Sequence, residues 1–171
     1  EGYGLIKKNE IAALDILKKL TDINYNHYIL ANLYGPHDDF KLETSHVLSA
    51  LINKAHKSKK DNSNIEIWGT GKPVRDFLFV KDAAKIIVQT MSKDLGVINI
   101  GTGKGISIKQ LSIKINKIFK LENKIYFNKN YNDGVKKKVV SNKKIKRYID
   151  FKFMTLDEGL KKTIDWYLKN N

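Results

Sequence analysis

Residues 28–38 read Tyr-Ile-Leu-Ala-Asn-Leu-Tyr-Gly-Pro-His-Asp. The apolar run of residues 28–33 stops at Gly35 and Pro36, which are typical of turns. A short apolar run that ends in this way predicts a buried strand, followed here by a polar loop over residues 37–44.

Outward from this strand, hydrophobic periodicity predicts helices and strands in alternation. Ser107 is a suitable N-cap, and Thr155 with Glu158 predicts a capping box at the last helix. The alternation predicts an α/β fold. Helices are expected over residues 2–20, 45–58, 81–92, 107–119 and 155–168, and strands over residues 28–33, 65–68, 76–80, 97–100 and 124–127.

The composition narrows the class of protein. The 171 residues include no cysteine, which excludes disulfides and thiolate metal sites, and we expect no metal site. No apolar run is long enough to span a membrane, so we expect a cytoplasmic protein that does not bind membranes. The net charge of +14 would favour nucleic acid, but only Arg75 and Arg147 of the 32 basic residues are arginine. We therefore interpret most of the charge as lysine-rich background and expect no nucleic-acid partner.

Tyr3 and Lys7 lie four residues apart and hence on one face of the first predicted helix. An ammonium beside a phenol favours the phenolate, which makes tyrosine a usable proton donor or acceptor near neutral pH. Tyr148 and Lys152 have the same spacing, so this spacing alone does not identify a site.

The motifs that follow Tyr3 in the sequence favour a catalytic role for the Tyr3–Lys7 pair. After Tyr3 come the stretch 28–38, then Ser45-His46-Val47, then Trp68-Gly69-Thr70-Gly71-Lys72-Pro73-Val74-Arg75-Asp76-Phe77, and then Ile98-Asn99-Ile100-Gly101-Thr102-Gly103. This order resembles the C-terminal half of the GDP-L-fucose synthases, which are extended short-chain dehydrogenase/reductases. The resemblance implies the C-terminal half of an extended Rossmann-type fold, with its last parallel strands and a smaller α/β substrate domain.

The same resemblance implies an NADPH-dependent epimerase/reductase that converts GDP-4-keto-6-deoxy-D-mannose to GDP-L-fucose. It places the end of the dinucleotide-binding domain at residues 1–36 and the substrate domain mainly at residues 37–171, with a segment near 76–100 returning to the cofactor domain. Members of this family are commonly homodimers, so the resemblance implies a dimer with the first helix in its interface.

Site residues follow from the matched positions. Tyr3, Lys7 and His46 correspond to catalytic residues. Lys7 and His46 also correspond to cofactor-binding residues, as does the strand end Leu30, Ala31, Asn32 and Leu33. The resemblance assigns substrate binding to Asn32, Lys54, Trp68, Arg75, Asp133 and Lys138.

Three departures from the family pattern stand out. Lys54 replaces an arginine, Lys136 and Lys137 replace a proline and an arginine, and Ser141 replaces an aspartate. The glycine-rich dinucleotide motif of the family would precede Glu1, so we expect a fragment or a split protein whose N-terminal half is a partner. On this view the chain alone binds NADP poorly and has no turnover.

Three other interpretations stay open. A related GDP-sugar enzyme, for example a GDP-deoxyheptose epimerase or reductase, would have a similar sequence. A basic nucleic-acid-binding module would gather its lysines on one face between aromatic residues. A non-catalytic homologue would keep the fold without the chemistry.

Overall fold

A computed structural model describes residues 2–121 and 125–171. The described chain alternates helices with short strands, which confirms the predicted α/β class. The described residues form five α-helices: α1 (Gly2–Leu20), α2 (Val47–Asp61), α3 (Val80–Thr90), α4 (Ile108–Phe119) and α5 (Leu156–Asn170). The strands are β1 (Asn26–Leu30), β2 (Asn32–Tyr34), β3 (Ile65–Trp68), β4 (Val74–Arg75), β5 (Phe77–Phe79), β6 (Gly96–Ile100), β7 (Ile106–Ser107), β8 (Ile125–Asn128) and β9 (Lys137–Lys138), and a 3₁₀ turn spans Ile145–Arg147.

The strand pairs are mostly parallel. Strand β1 pairs with β6, β2 with β5, and β3 with β8, all in parallel. Strand β4 lies between antiparallel β7 and parallel β9. Since the carboxyl ends of parallel strands meet at one edge of a sheet, the loops after β1, β2, β5 and β6 can build a common site.

The expected strand over residues 28–33 is two strands. Ala31 separates them: its N–H donates to the carbonyl of Ile100 at 2.9 Å, and the next N–H, of Asn32, donates to the carbonyl of Asp76 at 3.0 Å. The chain therefore changes partner at Ala31, from β6 to β5. The short strands β4, β7 and β9 and the 3₁₀ turn were not predicted, and the Lys124 start of the predicted strand lies outside the described residues.

The observed bounds of the helices agree with the bounds predicted from the sequence to within three residues, and both predicted caps are present. Ser107 and Gln110 form a capping box at α4, and Thr155 and Glu158 form one at α5. Each box satisfies N–H groups that a first helical turn leaves without partners.

Buried apolar residues form two clusters. The first packs α2, α4 and α5 around β3 and includes Leu48, Ile52, Leu111, Ile115 and Leu160. The second packs α3 against β1 and β6 and includes Ala31, Leu78, Ile86, Ile98 and Ile100. Helix α1 belongs to neither cluster, because it has no buried residue.

Candidate functional site

Tyr3 and Lys7 lie on the first two turns of α1. The helix brings them together as their spacing predicts: Lys7 Nζ lies 5.7 Å from the centroid of the Tyr3 ring. Tyr3 is 75% exposed, so the phenol is open to any molecule that covers this helix.

Glu10 holds the Lys7 ammonium. Lys7 Nζ donates to both carboxylate oxygens of Glu10 at 2.9 Å. This hydrogen bond raises the pKa of Lys7 above its usual value, so the group stays cationic at neutral pH. Sequence reasoning missed Glu10, although its i,i+3 spacing from Lys7 was a signal for an ion pair on the helix surface.

The predicted cofactor-binding stretch, Leu30 to Leu33, lies where β1 gives way to β2. Besides its backbone bond, Asn32 donates its side-chain Nδ2 to the carbonyl of Asp76 at 2.8 Å. The two bonds fix Asn32 at the carboxyl end of β1, which is where α/β sheets place ligands.

The glycine turn after β6 binds a carboxylate of the protein. Asp76 is almost fully buried and accepts from the Thr102 N–H at 3.2 Å, the Thr102 hydroxyl at 2.5 Å and the Gly103 N–H at 3.1 Å. These N–H groups are therefore engaged with Asp76, and the turn ties the start of β5 to the end of β6.

His46 occupies the N-cap position of α2 in extended geometry, and its side chain makes no capping hydrogen bond. The residue is exposed and lines a cavity of about 290 Å³ together with Leu33 and the loop that follows β2. The structure thus brings His46 to the same cavity as the predicted cofactor-binding strand end.

Lys54 and Trp68 lie together between α2 and β3. Lys54 Nζ donates to the carbonyl oxygen of Glu66 at 2.8 Å and lies 5.1 Å from the centroid of the Trp68 ring. Partial burial lowers the pKa of Lys54 from its usual value. Two residues that the resemblance assigns separately to substrate binding are therefore in contact, and the Glu66 carbonyl holds the Lys54 ammonium beside the Trp68 ring.

A loop from the end of β8 to β9 fastens onto this region. Tyr131 stacks on Trp68, with ring centroids 4.5 Å apart and planes at 13°. Asp133 accepts from the Thr70 N–H at 2.7 Å and from the Thr70 hydroxyl at 2.6 Å. The hydrogen bond from the Thr70 hydroxyl lowers the pKa of Asp133 most, and the one from the Thr70 N–H lowers it further. Both oxygens of an ionised carboxylate therefore hold the loop.

Arg75 and Lys138 are directly paired residues of β4 and β9. Arg75 Nη1 donates to the carbonyls of Val74 at 2.9 Å and Val135 at 2.7 Å, so part of the guanidinium also holds the loop. Lys138 is exposed beside it. Two of the cations that the resemblance assigns to substrate binding are thus paired in the sheet.

The predicted residues fall into three groups: Tyr3 with Lys7, His46 with the strand end, and the cations with Trp68 and its loop. Over residues 2–121 and 125–171, no hydrogen bond or ion pair joins Tyr3 or Lys7 to the other two groups. Sequence reasoning missed Tyr131, Thr70 and Glu66 as site residues. The stack of Tyr131 on Trp68 and the hydrogen bonds of Thr70 to Asp133 connect residues far apart in the chain, so no local pattern shows them.

Two features are absent from the described residues. No helix there is long and apolar enough to cross a membrane. Nor does that part of the chain contain a cluster of three or more histidine, aspartate or glutamate residues arranged to hold a metal ion.

Comparison with known proteins gives consistent matches. "Probable GDP-L-fucose synthase 1" of Oryza sativa subsp. japonica is 36% identical over 81% of this chain and 43% of its own length. The crystal structure of a GDP-L-fucose synthetase from Naegleria fowleri bound to NADP has 32% identity and a TM-score of 0.79, covering 84% of this chain and 46% of that one. A GDP-6-OMe-4-keto-L-xylo-heptose reductase from Campylobacter jejuni has 25% identity and a TM-score of 0.89, covering 99% of this chain and 61% of that one.

The chain spans about half the length of the curated relatives it matches. The resemblance seen in the sequence is nonetheless confirmed, because the model of the NAD dependent epimerase/dehydratase family matches residues 1–101. That match covers more than half of the chain and includes Tyr3, Lys7, His46 and Arg75. The chain therefore belongs to the NAD-dependent epimerase/dehydratase family.

Proposed function

We propose that the protein is an NADP-dependent epimerase/reductase of GDP-sugars, which converts GDP-4-keto-6-deoxy-D-mannose to GDP-L-fucose. The observation that carries the proposal is the Tyr3–Lys7 pair, held on one face of α1 within the family match. Similarity to relatives named GDP-L-fucose synthase supports the choice of substrate.

The described residues fit the nicotinamide end of NADP(H). Lys7 offers an ammonium, fixed by Glu10, for the ribose hydroxyls, and residues 30–33 offer backbone groups at the carboxyl end of β1. When bound, NADPH supplies the hydride that reduces the sugar carbonyl.

Tyr3 donates its phenolic proton to the C4 carbonyl oxygen of the sugar during reduction, so that a neutral alcohol forms. The Lys7 cation stabilises the phenolate that remains. His46, exposed at the N-terminus of α2, acts as the general acid that returns a proton to the sugar ring during epimerisation.

The nucleotide part of the substrate contacts the third group of residues, the cations with Trp68 and its loop. We assign Arg75 and Lys138 to the diphosphate because they are adjacent cations, and Trp68, Lys54 and Asn32 to the remaining contacts. Asp133 serves the substrate by holding the loop that carries Tyr131, through its bonds to Thr70.

The two apolar clusters support the domain division proposed from the sequence. The cluster around β1, β6 and α3 comes mainly from residues 1–36 and 76–100, which we assign to the dinucleotide-binding domain. The cluster around α2, α4 and α5 comes mainly from residues 37–171, which we assign to the substrate domain.

A reductase of GDP-heptoses is the second candidate. The Campylobacter jejuni reductase aligns with 99% of this chain at a TM-score of 0.89, which is the observation in its favour. The two candidates share the proton donor and differ in the sugar.

Product analysis separates the candidates. The native full-length protein would be incubated with NADPH and, in turn, GDP-4-keto-6-deoxy-D-mannose, a GDP-4-keto-heptose and the UDP analogue of the first. We expect NMR to identify GDP-L-fucose from the first substrate and little product from the others. A product only from the heptose would favour the second candidate, and turnover of the UDP-sugar alone would contradict both.

A further inference from the structure

A cavity of about 400 Å³ lies between α2 and β3. Strand β3 pairs with β8, and among the described strands no other pairs with it. Most of the lining is apolar, and the polar exceptions include Ser45, Lys54 and Glu66. A largely apolar cavity with a few placed polar groups is typical of a small-molecule site.

The polar groups of this cavity are not all satisfied by the protein. Ser45 Oγ is buried and has no hydrogen-bond partner among the described residues. Within residues 2–121 and 125–171, Lys54 Nζ makes one hydrogen bond, to the Glu66 carbonyl. A buried hydroxyl without a partner costs free energy, and the Lys54 ammonium, which has three N–H donors, has donors left for a ligand.

Glu66 contributes a carboxylate to the same lining. Its Oε1 accepts from Asn128 Nδ2 at 2.6 Å, and each carboxylate oxygen can accept more than one hydrogen bond. The hydrogen bond from the Asn128 amide is the largest cause of a lowered pKa of Glu66, and the Trp68 indole and the Lys54 charge lower it further. Burial acts in the opposite direction but does not outweigh them. The group is thus an anion at neutral pH, and an anion accepts hydrogen bonds but donates none.

We propose that Glu66 selects the base of the nucleotide by accepting hydrogen bonds from N1–H and the 2-amino group of guanine. The proposal rests on the proposed function, because it concerns the nucleotide of a GDP-sugar. Lys54 donates to the O6 acceptor beside N1–H, and the exposed Trp68 ring packs against the base.

The arrangement discriminates among bases by charge. Guanine presents an acceptor followed by two donors on one edge, which matches an ammonium beside a carboxylate. Uracil presents carbonyl oxygens on both sides of its single N–H, and adenine presents the acceptor N1, so each would place an acceptor against the Glu66 carboxylate. A site of this kind rejects the wrong base chiefly by leaving its own charged group unpaired.

The test is nucleotide binding by the native full-length protein, measured by calorimetry with GDP, IDP and UDP. Inosine lacks the 2-amino group of guanine, so we expect wild-type protein to bind IDP about tenfold or more weakly than GDP. Glu66→Gln keeps the shape of the side chain and its bond to Asn128. We expect it to weaken GDP binding about tenfold or more, to weaken IDP binding less, and to leave UDP binding unchanged.

Glu43→Gln is the matched control, because it removes one exposed carboxylate of the loop that precedes α2. It should bind all three nucleotides like the wild type. The inference is overturned if Glu66→Gln binds GDP like this control, or if it loses GDP and UDP equally. If the variant does not fold, equal affinity of the wild type for GDP and IDP overturns the inference. Failure of the wild type to bind GDP at all contradicts the proposed function as well.

Discussion

At the scale of single residues, Tyr3 is the proton donor that we propose. Its phenol is exposed on α1 beside the Lys7 ammonium, which Glu10 fixes in place. We expect Tyr3→Phe to lower kcat for reduction by about 100-fold or more, because a positioned proton donor contributes about 10²–10⁴-fold. Steady-state assays and NADPH binding should show the loss in kcat with cofactor affinity unchanged.

The second tyrosine with the same spacing gives the control. Tyr148 precedes Lys152 by four residues but is separated in sequence from the predicted site residues of α1. Tyr148→Phe should retain full activity. Undiminished reduction by Tyr3→Phe would remove the proposed proton donor from the mechanism.

Asp76 holds together the strand ends on which the site is built. Its carboxylate accepts three hydrogen bonds from Thr102 and Gly103, and its carbonyl accepts two from Asn32. Asp76→Asn places an NH₂ group among N–H donors, so we expect it to lower the free energy of unfolding by about 1–3 kcal/mol. Urea denaturation would measure the change.

Asp150 provides a comparison for this substitution, because it is an exposed aspartate. Asp150→Asn should change the free energy of unfolding by less than about 0.5 kcal/mol. Equal stability of the two variants would show that the buried hydrogen bonds of Asp76 contribute nothing.

At the scale of elements, α5 is fixed against β2 by a close approach. A Cβ atom added to Gly159 would lie 2.0 Å from the hydroxyl oxygen of Tyr34, a buried residue. Alanine favours a helix, but here it would have to displace a packed ring. We therefore expect Gly159→Ala to lower the free energy of unfolding by about 1–3 kcal/mol.

For Gly4 in α1, we expect substitution by alanine to raise the free energy of unfolding, in contrast to Gly159→Ala. An added Cβ atom there meets no atom within 4 Å, so Gly4→Ala should stabilise the protein by about 0.5–1 kcal/mol through helix propensity alone. Thermal unfolding of both variants checks the pair. A Gly159→Ala protein that is as stable as Gly4→Ala would contradict the proposed contact.

Elements with a local signal could be predicted from the sequence, and those that depend on a neighbour could not. Periodicity and capping residues located the five α-helices of the described part of the chain, and Ser107 and Thr155 cap as expected. Nothing in an apolar run shows that the chain changes partner at Ala31. Strands of two residues, such as β4 and β9, are too short to show a period and exist only through their pairing.

The same distinction applies to the site. The contact of Tyr3 with Lys7 follows from helical spacing, whereas the resemblance assigned Lys54 and Trp68 to substrate binding without predicting their contact. The stack of Tyr131 on Trp68 joins two distant segments, and only the folded chain shows it.

At the scale of the whole molecule, α1 packs less than the other α-helices of the described residues. It has no buried residue, and its exposed apolar side chains include Leu5, Ile6, Ile16, Leu17 and Leu20. Apolar surface of this extent favours association, because burial is worth about 25 cal/mol per Å². We propose that a second copy of the protein covers this helix, as the family resemblance implies.

Sedimentation of the full-length protein tests the proposed dimer. Leu17→Glu places a charge within the apolar face of α1, so we expect the dimer to dissociate to monomers. Ile113→Glu changes a side chain of similar exposure on α4, 49% against 46%, and should leave the dimer intact. A monomeric wild type, or a dimeric Leu17→Glu protein, would contradict the proposal.

Hydride transfer to the sugar is the central claim, and isotope transfer measures it directly. The native full-length protein would receive GDP-4-keto-6-deoxy-D-mannose and NADPH that carries deuterium at C4 of the nicotinamide on the transferable face. We predict GDP-L-fucose with deuterium at C4 of the sugar, one label for each NADPH consumed. An unlabelled product, or a sugar recovered unchanged with no NADPH consumed, would contradict the proposed reaction.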